Sequence, residues 1–322
     1  CKLGYTYLDN ICTYDTKTNI LIDVFLNAVR HLNPGLSDSE ASLLYTKIVN
    51  IANNDDLGRE FYQLLSANSG TKLIDFENPE NNDWHVTTEF TCENKDTEDE
   101  FRPDITCFVN GLPLAFIEVK KPNNREGILA ERERINKRMS KTCFRSFFNI
   151  TQLMIFSNNQ EYDTDSRVPI QGAFYCCTAK EKAFFNVFRE EDKRYVPDYP
   201  YQDITDEMEN KVLKHRNCVV IKNLQEYQTN KAVTTPTNRI LTSMLSQERF
   251  LFLLRYGFAY VERKIELADG TQGTQLQKHV MRYQQLFASY AIRNALTRGV
   301  KSGIIWHTQG SGKSFTMLML AH

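Results

Sequence analysis

A chain of 322 residues, 41% apolar and 25% charged, is longer than one hydrophobic core usually serves, and it reads as a soluble globular protein of two domains. No apolar run approaches the roughly 18 residues that suggest a membrane span, so we expect no membrane partner and a cytoplasmic location. The formal net charge of −1 excludes a uniformly basic nucleic-acid coat, and any DNA contact must be local. The charged runs 131–141 and 293–301 are where it would fall, although a solvated helix face is the other reading of both.

The eight cysteines form no C-x-x-C pairs or Cys/His clusters, which points to free thiols rather than zinc. His31, His85, His215 and His279 lack acidic or cysteine partners at ligand spacing and read as structural. Trp84 and Trp306 read as core or interface residues. The chain opens on Cys1 rather than Met, as a truncated start or a lipidated cysteine would.

Taken in order, residues 22–32 and 37–50 have helical periods, the second opened by a capping-type Ser37. A polar turn at 78–83 precedes a strand at 85–92, and a second polar loop follows at 93–100. From Asp104 two apolar runs flank Asn110-Gly111, the strongest short hairpin signal. A charged helix is predicted over 128–139, a buried strand over 153–157 and another over 171–177. Prolines and tyrosines at 195–203 suggest an ordered loop, and V-T-T-P-T-N at 233–238 resembles a linker. The turn-rich stretch 268–274 places the main domain boundary near 264–275. Beyond it we predict a helix over about 277–297, a short strand at 303–306, a glycine loop, and a helix from 316 that stops without a cap, as if cut mid-domain.

The hairpin carries the first candidate site. Residues two apart in a strand share a face, so Glu118 and Lys120 point one way while Ile117 and Val119 point the other. A strict two-residue turn at Asn110-Gly111 pairs Asp104 with Ile117, on the wrong face. Only a longer connection or a β-bulge sets Asp104 opposite Glu118. Two carboxylates and a lysine there suit a Mg2+ ion working on a phosphodiester, with Asp104 and Glu118 as ligands. A carboxylate and an ammonium beside C-F-V-N-G-L-P-L-A-F-I are costly to bury unless paired or metal-bound.

The stretch F-R-P-D-I-T-C-F-V-N-G-L-P-L-A-F-I-E-V-K-K-P resembles the nuclease core of the motor (R) subunit of type I restriction-modification enzymes. The resemblance implies a PD-(D/E)xK fold, a mixed sheet flanked by helices, with Asp104, Glu118 and Lys120 as catalytic positions. The helical Q-x-x-x-Y pattern that such nucleases often add is absent, its place falling near Arg134 or Ile135.

The second candidate site is G-I-I-W-H-T-Q-G-S-G-K-S at 303–314, where glycines let backbone N–H groups wrap phosphates at a helix N-terminus. Gly310, Ser311, Gly312, Lys313 and Ser314 would bind ATP, with Lys313 on the phosphates and Ser314 on Mg2+. His307 stands where the full phosphate-loop pattern has glycine. The loop resembles those of superfamily-two helicases, and H-T-Q-G-S-G-K-S resembles the same restriction subunits. By the same resemblance, R-Y-Q-Q-L-F-A at 282–288 reads adenine through Gln285, with Arg282 beside it.

These readings predict an α/β chain with a PD-(D/E)xK endonuclease domain over 1–264, including helical additions and a linker. The beginning of a RecA-like helicase domain follows over 265–322, truncated after the phosphate loop. The resemblance implies a type I site-specific deoxyribonuclease that moves double-stranded DNA on ATP and cuts it, assembled with methyltransferase and specificity subunits. A stand-alone nuclease-helicase, or an inactive nuclease-like DNA-binding module on a motor, are the alternatives.

Overall fold

The computed structural model describes residues 1–11, 13–94, 99–122, 127–162, 171–189, 199–266, 270–307, 309–310, 312–314 and 316–317. Its centre is a seven-stranded mixed sheet of β1 (Thr6–Tyr7), β2 (Trp84–Thr88), β5 (Ile105–Val109), β6 (Leu112–Val119), β7 (Leu153–Ser157), β8 (Ala173–Cys176) and β9 (Asn186–Val187), hydrogen-bonded in that order. Two short strands, β3 (Cys92–Asn94) and β4 (Asp99–Phe101), form a separate ribbon. The β1/β2 and β6/β7 pairs are parallel and the others antiparallel. A parallel pair needs a crossover. Here α4 (Gly127–Met139) and α5 (Arg145–Ile150) supply it between β6 and β7.

Alternation along β6 and β7 divides the interior into two cores. Ala115, Ile117, Leu153 and Ile155 face the larger one, which also takes Phe25 and Val29 of α1 (Ile22–Leu32) and Ile48 of α2 (Asp38–Ala52). Ile240 and Met244 of α8 (Pro236–Leu245) and Phe250 to Leu254 of α9 (Gln247–Tyr256) complete that side. Phe116, Met154 and Phe156 face the other core, beneath Ile128 and Ile135 of α4 and Phe147 and Phe148 of α5. Phe101 sits among Phe116, Phe144, Phe147 and Phe148 with ring centroids 5.3–6.2 Å apart. Burying each such ring contributes about 1.5–3 kcal/mol, so this core holds α4 firmly against the sheet.

The β5/β6 hairpin turns on two residues, Asn110 and Gly111, with φ +51° and +75°. Those left-handed values match the twist of a tight hairpin and favour Asn-Gly. Asn110 is fixed by the Asp83 N–H donating to its Oδ1 at 2.7 Å and by its own Nδ2 donating to the Leu73 carbonyl at 2.9 Å. The Leu21 N–H donates to the Gly111 carbonyl at 2.9 Å, so the start of α1 docks on the turn. The register steps by one between Cys107 and Phe108, from Val109↔Leu112 to Ile105↔Ile117. This bulge at Leu114 sets Asp104 opposite Glu118 despite the two-residue turn.

Ser37 caps α2 reciprocally with Glu40, as its spacing predicts. Three expectations need correction. The helix predicted over 277–297 is α10 (Tyr283–Thr297), because the alternation T-Q-L-Q-K-H-V continues β11 (Gln272–Val280), paired with β10 (Phe258–Glu266). Pro236 starts α8 rather than extending a linker, since proline is well placed at a first helical position. Residues 303–306 form no strand: nothing among the described residues pairs with them, and Ile304 and Trp306 are 92% and 91% exposed. Trp84, by contrast, is buried against Tyr5. The ends of β10 and β11 fall within 264–275, and residues 267–269 lie outside the described residues, as do 195–198.

Candidate active site and glycine loop

Asp104 immediately precedes β5, and its Oδ2 accepts the Val119 N–H at 2.7 Å. Its carboxylate is thereby pinned to the end of β6. Lys120 extends the β6/β7 ladder by one residue, its N–H donating to the Ser157 carbonyl at 2.8 Å. With both backbones fixed, Glu118 and Lys120 project on one face, and Lys120 Nζ lies 3.1 Å from Glu118 Oε2. The structure thus brings Asp104, Glu118 and Lys120 together at one end of the central strands.

Helix α4 adds charges that the sequence reading took for a solvated face. Glu131 Oε2 lies 3.1 Å from Lys120 Nζ and 3.2 Å from Arg134 Nη1, and its side chain is 1% exposed. Arg138 Nη1 stands 3.8 Å from both Glu118 Oε1 and Glu131 Oε1, with its guanidinium carbon 4.3 Å from the centre of the Phe101 ring. The signal was present: Glu131 falls three residues after Ile128 and four before Ile135, on the apolar stripe of α4.

Burial, then the charges of Asp104 and Glu131, push the Glu118 carboxyl up to about 7 against the pull of Lys120. Burial alone would lower the Lys120 ammonium, but Glu118, Glu131 and Asp104 outweigh it and raise its pKa. Lys120 is therefore a cation held among carboxylates at neutral pH. Among the described residues no three acidic, histidine or cysteine side chains are arranged to hold a metal ion together. The candidate ligand pair is Asp104 and Glu118.

The glycine loop packs on the start of α10. Arg282 Nη1 donates to the Gly310 carbonyl at 3.3 Å. The Gln285 amide bridges two backbones, its Nε2 donating to the Gly312 carbonyl at 3.1 Å and its Oε1 accepting the Arg282 N–H at 2.8 Å. Gly310 and Gly312 have φ of +81° and +82°, a region that favours glycine, and a Cβ on Gly312 would meet Gln285 Nε2 at 2.5 Å. A cavity of 670 Å³ is lined by Arg282, Gln285, Gly310 and Gly312, with Phe184 and Lys278 on its other walls. Lys313 and Ser314 are exposed at the helical turn after the loop, and Lys313 Nζ donates to the His307 carbonyl at 3.0 Å. Ser311 lies outside the described residues.

Lys278 of β11 drew no attention in the sequence. Its buried ammonium donates to Gln152 Oε1 at 2.8 Å and lies 5.5 Å from the Phe258 and Tyr260 ring centres. Burial lowers its pKa to about 8.

The family model for the N terminus of the type I restriction enzyme R protein matches residues 1–164 of the 322. The chain belongs to that family. A model of SWI2/SNF2 ATPases matches residues 284–322, which include the glycine loop. The HindI type I restriction enzyme endonuclease subunit of Haemophilus influenzae is 24% identical over 332 residues, covering 95% of this chain and 26% of the relative. A Methanocaldococcus jannaschii relative, bearing the name of the MjaIXP type I restriction enzyme endonuclease subunit, is 24% identical over 331 residues, covering 94% of this chain and 27% of its own length. The R-protein chain described here thus spans about a quarter of the length of these relatives. Among the described residues no helix is long and apolar enough to cross a membrane.

Proposed function

We propose that this chain is the nuclease-bearing part, and the beginning of the motor, of the restriction subunit of a type I restriction-modification enzyme. The observation that carries the reading is the convergence of Asp104, Glu118 and Lys120 at the end of a buried strand in a chain of that family. In this reading the mixed sheet between helices is a PD-(D/E)xK nuclease core, and the segment matching SWI2/SNF2 ATPases opens a RecA-like helicase domain.

The chemistry of the donors suits Mg2+. Glu118 is a buried carboxylate strained by two acidic neighbours, and a hard divalent cation on its oxygens and those of Asp104 would relieve that repulsion. When bound there, the ion supplies polarisation of a phosphoryl oxygen and an activated water. Lys120, kept charged by its neighbours, donates to the scissile phosphate and offsets the negative charge that builds as the P–O bond breaks. Asp104, tied to the Val119 N–H, keeps its carboxylate in place throughout.

At the other centre, Gly310, Ser311, Gly312, Lys313 and Ser314 would take the phosphates of Mg2+-bound ATP. Lys313 would leave its own His307 carbonyl to do so. Arg282 and Gln285, which line the same cavity, would read the adenine. The relatives are named endonuclease subunits, and assembly with methyltransferase and specificity subunits on double-stranded DNA is part of this proposal. Plasmid cleavage by the full-length chain, with and without Mg2+, ATP and the partner subunits, tests it. Cutting that needs the metal and ATP supports the reading. Complete inertness of the assembled enzyme would instead favour a nuclease-like DNA-binding module.

A further inference from the structure

Lys120 is held from two sides. Its Nζ lies 3.1 Å from Glu118 Oε2 and equally 3.1 Å from Glu131 Oε2. These two carboxylates are not equivalent. Both are buried, but Glu118 projects from the strand end beside Asp104, where the metal would sit, whereas Glu131 comes from α4. Once Glu118 turns its oxygens to a metal ion, its hold on Lys120 weakens, and Glu131 is the anion left to aim the ammonium.

The packing around Glu131 fits that task. Ile128 and Ile135 fix the helix on either side of it in the second core, and Arg134 and Arg138 offset the charge that Lys120 does not. Arg138 is itself placed over the Phe101 ring. Glu131 Oε1 and Oε2 make no well-aligned hydrogen bond despite these ion pairs. A buried carboxylate in that condition is costly in a core that an apolar residue could fill, so stability alone does not account for a charge at this position.

We propose that Glu131 is a positioning residue of the nuclease, holding Lys120 toward the scissile phosphate from helix α4 while Glu118 is engaged with the metal. The inference rests on the nuclease reading above. It assigns Glu131 no contact with DNA or metal.

Three variants of the full-length chain, assembled with its partner subunits, test it: Lys120→Ala, Glu131→Gln and Glu131→Leu. The readouts are the single-turnover cleavage rate at saturating plasmid, the DNA concentration giving half that rate, ATP hydrolysis and melting temperature. Misplacing a catalytic group or removing its outer support typically costs about 10-fold to 100-fold in rate. We expect Glu131→Leu to cut about 100-fold more slowly, and Glu131→Gln, whose neutral amide oxygen would still face Lys120, about 10-fold more slowly. Half-saturation by DNA and ATP hydrolysis should match the wild type in both.

Lys120→Ala cutting at the wild-type rate would remove the nuclease reading itself. If Lys120→Ala is inactive while a folded Glu131→Leu cuts like the wild type, the nuclease reading stands and this inference falls. Should Glu131→Leu fail to fold, Glu131→Gln decides: slower cutting with unchanged half-saturation supports positioning. A wild-type rate, or a loss confined to DNA affinity, overturns it.

Discussion

Replacing Glu118 with Gln should make the metal-free protein more stable while abolishing cleavage. The Glu118 side chain is 5% exposed, so solvent screens it little. Burial first, and the Asp104 and Glu131 charges second, carry its carboxyl from the ordinary 4.5 to about 7. At about 1.4 kcal/mol per pH unit, that rise corresponds to about 3 kcal/mol against the ionised form in the folded state. Because the folded pKa lies above the unfolded one, the unfolded chain releases this proton first as pH rises. Stability therefore falls between about pH 4.5 and pH 7, and the full penalty is present above that window. A neutral Gln escapes it. For a chain of this size 1 kcal/mol moves the melting temperature by about 2 °C, so Glu118→Gln should melt about 5 °C higher at pH 8 and match the wild type near pH 4.5. Calorimetry without metal at the two pH values measures this, and adding Mg2+ should raise the wild-type melting temperature alone. A Glu118→Gln protein that melts below the wild type at pH 8 would refute the electrostatic account of the site.

Other outcomes follow from single contacts. Gly111→Ala puts a Cβ 2.7 Å from the Leu21 carbonyl and the Phe25 N–H at a φ of +75°, and it should lower stability by about 1–3 kcal/mol in denaturant titration; an unchanged midpoint would contradict the docking of α1 on this turn. Lys278→Met removes an ammonium whose folded pKa of about 8 lies below the ordinary 10.5, a penalty of about 3 kcal/mol that is full below pH 8 and vanishes as pH rises to 10.5. Leaving Gln152 Oε1 without its donor costs about 1–3 kcal/mol, so the variant should equal or exceed the wild type at pH 7 and lose ground to it above pH 8, in urea titrations across that range. Lys313→Ala should weaken ATP binding at least 10-fold by calorimetry, about 1.4 kcal/mol, and equal binding would count against the phosphate loop.

Much of the site was legible because its signals are local. Asn110-Gly111 marked the hairpin, alternation fixed the faces of Glu118 and Lys120, and parity alone showed that Asp104 needed a longer connection or a bulge to join them. The bulge at Leu114 is what the structure contains. Glu131 was passed over because its neighbours in sequence are charged, and a run such as E-R-E-R-I-N-K-R hides one buried member among exposed ones. Only the packing of Ile128 and Ile135 on the sheet tells which of these charges is inside. The start of α10 was misplaced by six residues because Gln277 to Val280 are claimed by pairing with β10, a tertiary preference that local helical propensity does not report. Residues 303–306 have a strand's composition and no partner strand among the described residues, so the composition stays unexpressed.

Two lysines divide the proposed machine. Lys120 sits at the end of β6 and Lys313 in the turn after the glycine loop, and in the proposed function each would act on a different phosphate. Triplex displacement and plasmid cleavage measured side by side on the assembled Lys120→Ala and Lys313→Ala enzymes test this most directly. The expected result is a Lys120→Ala enzyme that moves along DNA at the wild-type rate without cutting it, and a Lys313→Ala enzyme that does neither. A folded, assembled Lys120→Ala enzyme that still cuts, or one that neither cuts nor moves, would contradict it.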